Sequence, residues 1–216
     1  MSNKLVVLVG GRIHVGKSLF SKMMCEELGD AGLKVENMML AQGVKDGCRD
    51  DFARLTEHLN ALADKAEAAG EDELAEELRI RNDNWYENKT NITRILLQTY
   101  GTEIFRNRVD GEWWVKKLAE RICKSSADVI FVTDFRFPNE CEKLKPLLVD
   151  REVLTVSVER KSDASEQLSA HTSENALDGY PFDFRIDNSG TVADLADKCV
   201  WLRNKLVEKV GGVKNG

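Results

Sequence analysis

The sequence has no long apolar run, no paired cysteine motif and no excess of positive charge, and each absence excludes a class of protein. Its first apolar run, 5–9, is far too short for a secretion signal or a membrane span. Its five cysteines form no C-x-x-C pair and have no histidine at zinc-finger spacing, so we expect free thiols in a reducing compartment. A net charge of -6 disfavours a general nucleic-acid surface. These absences favour a soluble cytoplasmic protein that binds small anionic ligands, without a membrane or nucleic-acid partner.

Five apolar runs read as β-strands, with helical patterns between them. They lie at 5–9, 35–40, 129–133, 153–158 and 182–186. This alternation predicts a parallel sheet covered by helices on both faces, with ligands beyond the carboxyl ends of the strands. The 216 residues suffice for one such domain, 1–216, with an inserted subdomain, but not for two independent domains.

The most informative stretch follows the first run, where Gly11 to Ser18 match the pattern G-x-x-x-x-G-K-[ST]. Glycines let the backbone wrap an anion with its N–H groups, and the next helix directs the positive end of its dipole at the same point. We expect Lys17 to reach the outer phosphates of ATP and Ser18 to offer its hydroxyl to Mg²⁺. The alternative is a chance glycine-rich turn, which the strand before the motif and the amphipathic helix after it disfavour.

The motif resembles the phosphate loop of the P-loop NTPases, and this resemblance implies a three-layer α/β sandwich with a five-stranded parallel sheet in the order 2-3-1-4-5. The long connection after the second strand predicts a helical acceptor-binding insertion at about 41–127, and a polar stretch at about 159–179 predicts a short lid. The first part of the insertion, 55–78, is interpreted as a structural helical hairpin or a subunit contact rather than a catalytic segment, with a break at Gly70. Thr191 begins a capping box for the last helix, which should end at Gly211 and Gly212. The predicted ATP contacts are Gly11, Val15, Gly16, Lys17, Ser18, Leu19, Asn188, Gly190 and Thr191.

Catalytic side chains are predicted after the third and fourth strands. Asp134 lies where an acidic residue can help to hold Mg²⁺ opposite Ser18, and Arg136, two residues on, points to the same side of an extended backbone. The alternative is that Asp134 and Arg136 form a structural ion pair. Arg160 and Lys161 would close over the phosphates as part of the lid, unless this stretch is only an exposed loop.

The acceptor side of the site is predicted within the insertion. Gly101 is interpreted as the C-cap of one helix, and Arg106 lies about one turn into the next. Arg106 could clamp a substrate phosphate, and the amide of Gln98 could hydrogen-bond a base edge. Trp114 could wall a base pocket, although core packing is the favoured interpretation of this tryptophan and of its neighbour.

Several of these motifs, taken together, resemble those of the bacteriophage deoxynucleoside monophosphate kinases. The most specific are L-L-Q-x-x-G-T-E-x-x-R, which ends at Arg106, and D-x-R-F-P-N-E, which begins at Asp134; a loose A-x-x-x-K element ends at Lys45. The resemblance implies phosphorylation of deoxynucleoside 5′-monophosphates by ATP and Mg²⁺, for phage DNA synthesis in the host cytoplasm, by a homodimer. Lys45 with Arg106 would fix the acceptor phosphate, and Arg94 with Arg136 and Arg160 would stabilise the migrating group.

Two other functions remain open from the residues. One is a kinase of another small phosphorylated acceptor, of the dephospho-coenzyme A or phosphomevalonate type, because such kinases share the scaffold and the Asp-x-Arg arrangement. The other is a nucleotide-gated switch that hydrolyses slowly and acts through a partner. The sequence contains no N-K-x-D guanine signature, and the long insertion and predicted lid favour transfer to an acceptor.

Overall fold

The central element is a five-stranded parallel sheet in the order β2-β3-β1-β4-β5, as predicted. The computed structural model describes residues 3–12, 14–51, 53–79, 90–160 and 176–211, without the side chains of 51, 53–56, 92 and 94. The strands are β1 Lys4–Gly10, β2 Val35–Met38, β3 Val129–Val132, β4 Arg151–Glu159 and β5 Phe184–Asp187. Because all pairings are parallel, the loops that follow β1, β3, β4 and β5 meet at one edge of the sheet.

The second strand is shorter than the sequence predicts. The apolar run predicts a strand to residue 40, but β2 ends at Met38 and the next helix begins at Leu40. The reason is a tertiary contact, because the backbone N–H of Leu40 donates to Oδ1 of Asp134, 2.8 Å away, after β3. A carboxylate in the turn after the neighbouring strand β3 therefore directs the chain out of the sheet.

Helices, joined by loops and turns, make up the rest of the described chain. They are α1 Lys17–Asp30, α2 Leu40–Asp51, α3 Ala53–Ala68, α4 Asp72–Leu78, α5 Asn91–Gln98, a π-helix Thr99–Val109, α6 Trp113–Lys124, α7 Pro138–Leu144, a short 3₁₀ turn Lys145–Leu147 and α8 Val192–Gly211. The predicted break at Gly70 is confirmed, since this glycine separates α3 from α4 with a left-handed φ of 79°. The capping box of α8 is also confirmed, because the N–H of Asp194 donates to Oγ1 of Thr191 and Asp194 accepts from the N–H of Thr191.

The predicted C-cap at Gly101 is wrong. The chain passes from α5 directly into the π-helix, and Gly101 lies buried inside that helix. A Cβ at Gly101 would come within 2.9 Å of the Val44 side chain, and one at Gly47 would come within 2.7 Å of the Tyr100 hydroxyl. Both glycines therefore permit α2 and the π-helix to pack closely, which is a contact between elements rather than a helix end.

Two apolar clusters cover the faces of the sheet and give three layers. On one face, α1 and α8 pack on β1, β3 and β4 through residues such as Phe20 and Leu202. On the other face, α6 and α7 pack on β1 and β3 through residues such as Leu118 and Leu144. The predicted α/β sandwich is confirmed.

The chain forms two compact units. Unit 1 comprises residues 1–40 with 115–216 and contains the sheet, and unit 2 comprises residues 41–114. The single domain with an insertion at 41–127 stays a prediction. None of the described helices is long and apolar enough to pass through a lipid bilayer.

Candidate functional site

The loop between β1 and α1 has the backbone of an anion-binding turn. Gly16 is left-handed with φ 95°, Gly11 has φ 139°, and His14 between them has φ 62°. A Cβ at Gly11 would collide with the carbonyl oxygen of Val158, and one at Gly16 would collide with the side-chain amide of Asn188. Glycine is therefore required at both fixed positions by conformation and by space. Val15 is buried in the first apolar cluster and anchors the loop to the sheet.

The start of α1 can receive negative charge. Gly16 occupies the N-cap position without a side-chain cap, and the first turn contains no acidic residue. The N–H groups of the first turn and the dipole of this 14-residue helix favour an anion at its start. Ser18 and Leu19 lie exposed in this first turn.

Lys17 points back across the loop. Its Nζ donates to the carbonyl oxygen of Gly11 at 2.7 Å and to that of Arg12 at 2.6 Å. The ammonium is thus held at the mouth of the loop by two neutral acceptors. Phosphate oxygens carry full charge and form stronger hydrogen bonds with an ammonium, so they can replace these carbonyls.

The end of β3 places a carboxylate next to the loop. Asp134 is half-buried and accepts from the N–H of Leu40, while β3 pairs directly with β1, with Val132 beside Leu8. Ser18 and Asp134 offer the hydroxyl and carboxylate oxygens that Mg²⁺ accepts. Among the described residues, no three His, Cys, Asp or Glu side chains form a metal-binding group. A magnesium ion here would therefore take most of its ligands from phosphate oxygens and water.

The motif that follows Asp134 is fixed by a buried carboxylate. Glu140 Oε2 accepts from the N–H of Arg136 at 2.9 Å and from that of Phe137 at 3.1 Å. These bonds satisfy the start of α7 and hold the backbone of Arg136, whose side chain is exposed. The sequence contains this glutamate within the D-x-R-F-P-N-E motif, but its hydrogen-bond partners depend on how the turn folds.

The chain after β4 is described only at its two ends. Arg160 is exposed directly after β4, whereas Lys161 and most of the predicted lid, 161–175, lie outside the described residues. At the far end, Asp178 accepts from Arg12 of the phosphate loop at 3.0 Å. A Cβ at Gly10 would come within 2.9 Å of both Leu177 and Phe182, so this end packs under the loop. No local sequence pattern predicts these contacts.

The loop between β5 and α8 borders the phosphate loop, as predicted. Asn188 is buried, and its Nδ2 donates to the carbonyl oxygen of Val15 at 2.9 Å. The Thr191 side chain is engaged in the capping box, and a Cβ at Gly190 would collide with the Asp194 carboxylate. Backbone recognition of adenine by Asn188, Gly190 and Thr191 stays a prediction.

The predicted acceptor residues lie in unit 2. Lys45 on α2 and Arg106 on the π-helix are half-buried, and Gln98 is exposed at the end of α5. Arg94 is on α5, but its side chain lies outside the described residues. A π-helix of 11 residues is uncommon, and such helices occur frequently at functional sites. The binding roles of these four residues stay predictions.

Trp114 is part of an aromatic cluster inside unit 2. It is 8% exposed, and its indole Nε1 donates to the Gly101 carbonyl oxygen at 2.8 Å. Its ring lies 5.8 Å from that of Tyr100 and 5.1 Å from that of Phe105. These contacts support core packing, and a role for Trp114 in a base pocket stays a prediction.

The sheet order, the phosphate loop between β1 and α1, and the helices on both faces define a P-loop protein of the NTPase fold. The model of the family "Deoxynucleotide monophosphate kinase" matches residues 52–199, more than half of the chain. The chain therefore belongs to the deoxynucleotide monophosphate kinase family.

A curated relative and two solved structures show further similarity. The deoxynucleoside-5′-monophosphate kinase of Escherichia phage T5 is 36% identical over 85 residues, which are 39% of this chain and only 34% of that protein. The APS kinase CysC of Mycobacterium tuberculosis, in complex with AMPPNP and APS, has a TM-score of 0.48 at 10% identity, over 96% of this chain and 99% of that one. A putative kinase from Chloroflexus aurantiacus has a TM-score of 0.44 at 12% identity, over 97% and 99%. Similarity to these two structures does not transfer residue roles.

Proposed function

We propose that the protein transfers the γ-phosphoryl group of ATP to a deoxynucleoside 5′-monophosphate, giving ADP and the deoxynucleoside diphosphate. The observation that carries the proposal is the phosphate loop, with its two required glycines, uncapped helix and inward lysine, in a chain of this family. A phosphate oxygen of the acceptor attacks the γ-phosphorus in line, and the bond to the bridging oxygen of ADP breaks. No covalent enzyme intermediate is needed, so the protein acts by positioning and by charge.

On the donor side, the loop N–H groups would bind the triphosphate and Lys17 would bind its outer oxygens. The Lys17 ammonium already lies 2.6 to 2.7 Å from two loop carbonyl oxygens, so a small change of direction would bring it to a phosphate. Ser18 and Asp134 would hold Mg²⁺, which would neutralise charge on the phosphate oxygens. Arg136 and Arg160, both exposed beyond strand ends, are proposed to stabilise the migrating group together with Arg94.

On the acceptor side, Lys45 and Arg106 would bind the monophosphate, and Gln98 would hydrogen-bond the base. Both cations are half-buried, which lowers the local dielectric and strengthens their attraction for a dianion. The close packing of α2 on the π-helix at Gly47 and Gly101 gives Lys45 and Arg106 one rigid support within unit 2. Assembly as a homodimer, and supply of deoxynucleotides for phage DNA synthesis in the host cytoplasm, belong to the same proposal.

A coupled assay of ADP formation tests the proposal. The acceptors are dTMP, dGMP, dCMP and dAMP with their modified forms, then dephospho-coenzyme A and phosphomevalonate, and finally no acceptor. We expect at least one deoxynucleotide to raise the rate well above the rate without acceptor. ADP formation that depends only on one of the other two acceptors would indicate a different kinase, and a slow rate that no acceptor changes would indicate a nucleotide switch.

A further inference from the structure

The side chain of Asn188 connects the last loop of the sheet to the phosphate loop. It follows β5, is 6% exposed, and donates from Nδ2 to the Val15 carbonyl oxygen at 2.9 Å, across 173 residues of sequence. A carbonyl oxygen only accepts hydrogen bonds, so the amide nitrogen must be the atom that faces it. The orientation of the Asn188 amide is therefore fixed by its partner.

Asn188 is itself held from the other side. Its backbone N–H donates to the carbonyl oxygen of Glu159, at the end of β4, at 2.6 Å. Its Nδ2 also occupies the space that a Cβ at Gly16 would need. The residue is thus tied to the sheet by its backbone and fills the space behind the left-handed glycine of the loop.

The bond to Val15 sets the direction of one loop N–H group. The peptide bond is planar and trans, so its C=O and N–H groups point in opposite directions. Because the Val15 carbonyl points at Asn188, the N–H of Gly16 in the same peptide points away from Asn188. Without this bond, the peptide could rotate, since the φ of Gly16 at 95° is one of many values that glycine accepts.

We propose that Asn188 is a positioning residue for the triphosphate: its side-chain amide fixes the Val15–Gly16 peptide so that the loop N–H groups are already directed at the phosphates. The inference rests on the proposed function, since it concerns the ATP side of that site. It goes beyond recognition of adenine by the backbone of the loop after β5, because here the Asn188 side chain contacts the phosphate loop and affects binding of the triphosphate. If ATP had to order the phosphate loop on binding, part of the binding free energy would be lost to that ordering, and ATP would bind more weakly.

The test measures the affinity of a non-hydrolysable ATP analogue with Mg²⁺ by titration calorimetry, in the full chain. Asn188→Asp keeps the size of the side chain but presents an acceptor to the Val15 carbonyl, and Asn188→Ala removes the group. Thr155→Val is the matched control. Thr155 lies on β4, outside the phosphate loop; it is 2% exposed, and its hydroxyl donates to Asp183 at 2.8 Å. The Asn188 variants lose the hydrogen bond to Val15, whereas Thr155→Val loses two, the one its hydroxyl donates to Asp183 and the one it accepts from the Asp183 N–H, so the control is at least as disruptive to the fold.

We expect about tenfold weaker analogue binding in Asn188→Ala and a larger loss in Asn188→Asp, with Thr155→Val within about twofold of the wild type. In turnover, the KM for ATP should rise while the KM for the deoxynucleotide stays unchanged, a split that a general loss of folded protein would not produce. Wild-type affinity in Asn188→Asp, an equal loss in the control, or failure of both Asn188 variants to fold would overturn the inference. A wild type that binds the analogue but phosphorylates no deoxynucleotide would refute the proposed function and leave the Asn188 comparison valid.

Discussion

Replacing Lys17 by alanine separates the stability of the phosphate loop from its affinity for ATP. Among the contacts of the described residues, the change removes the hydrogen bonds to the carbonyl oxygens of Gly11 and Arg12. Arg12 is exposed and Gly11 half-buried, so water can reach the carbonyls that are left. We therefore expect the free energy of unfolding without ligand to fall by only about 0.5 to 1.5 kcal/mol.

The effect on ligand-induced stability should be larger. In the wild type, ATP at one hundred times its Kd adds about 2.7 kcal/mol to the free energy of unfolding. For a chain of this size, that corresponds to a rise in Tm of about 5 to 11 °C. If Lys17→Ala weakens Kd tenfold, the same ATP concentration adds about 1.4 kcal/mol, and a hundredfold weakening leaves about 0.4 kcal/mol.

The assay is thermal unfolding of each variant with and without ATP and Mg²⁺, followed by turnover. Lys22→Ala on the same helix is the control, because Lys22 is exposed and its only described ion pair is with Glu26, at 4.0 Å along the helix surface. We expect the control to keep the full rise in Tm and Lys17→Ala to lose most of it together with turnover. An unchanged rise in Tm and unchanged turnover in Lys17→Ala would refute the role of the loop.

Two further predictions concern other parts of the chain. In steady-state kinetics, Arg106→Ala should raise the KM for the deoxynucleotide about tenfold or more and leave the KM for ATP unchanged. The control is Arg108→Ala, at an exposed position of the same π-helix, which should change neither KM. Equal changes in the KM for the deoxynucleotide in the two variants would contradict the role of Arg106. Burial raises the pKa of Cys199 to about 11, so its thiol stays protonated and unreactive at pH 8 and becomes a thiolate only as the pH approaches that value. A disulfide reagent at pH 8 should therefore modify exposed Cys123 rapidly and Cys199 only after unfolding, and rapid reaction of Cys199 would contradict its burial.

The first strand, the phosphate loop and the first helix could be predicted from sequence because their signals are local. An apolar run, two glycines at fixed spacing and an amphipathic helix each specify their own backbone. The end of β2 could not be predicted in this way, because a carboxylate 94 residues away turns the chain at Leu40. The role of Gly101 could not be predicted for a similar reason, since a glycine that lets two helices pack has the same sequence signal as one that ends a helix.

A site residue can be proposed from sequence where its type fits one chemical role. Lys17, Ser18 and Asp134 were proposed in this way from the loop and the end of β3, and their roles stay predictions. The side-chain contact of Asn188 with Val15 was not predictable, because a buried amide and a loop carbonyl 173 residues apart share no pattern. Nor could the sequence show that Trp114 would donate its indole N–H to Gly101 within an aromatic cluster.

The most direct measurement of the proposed reaction is a chromatographic balance of nucleotides in a mixture of the protein, ATP, Mg²⁺ and a single deoxynucleoside monophosphate. The account predicts that ADP and the deoxynucleoside diphosphate appear in equal amounts, and that ADP formation falls to background when the monophosphate is left out. The account would be contradicted if ADP were released at the same rate without the monophosphate, and if no deoxynucleoside diphosphate formed from dTMP, dGMP, dCMP, dAMP or their modified forms.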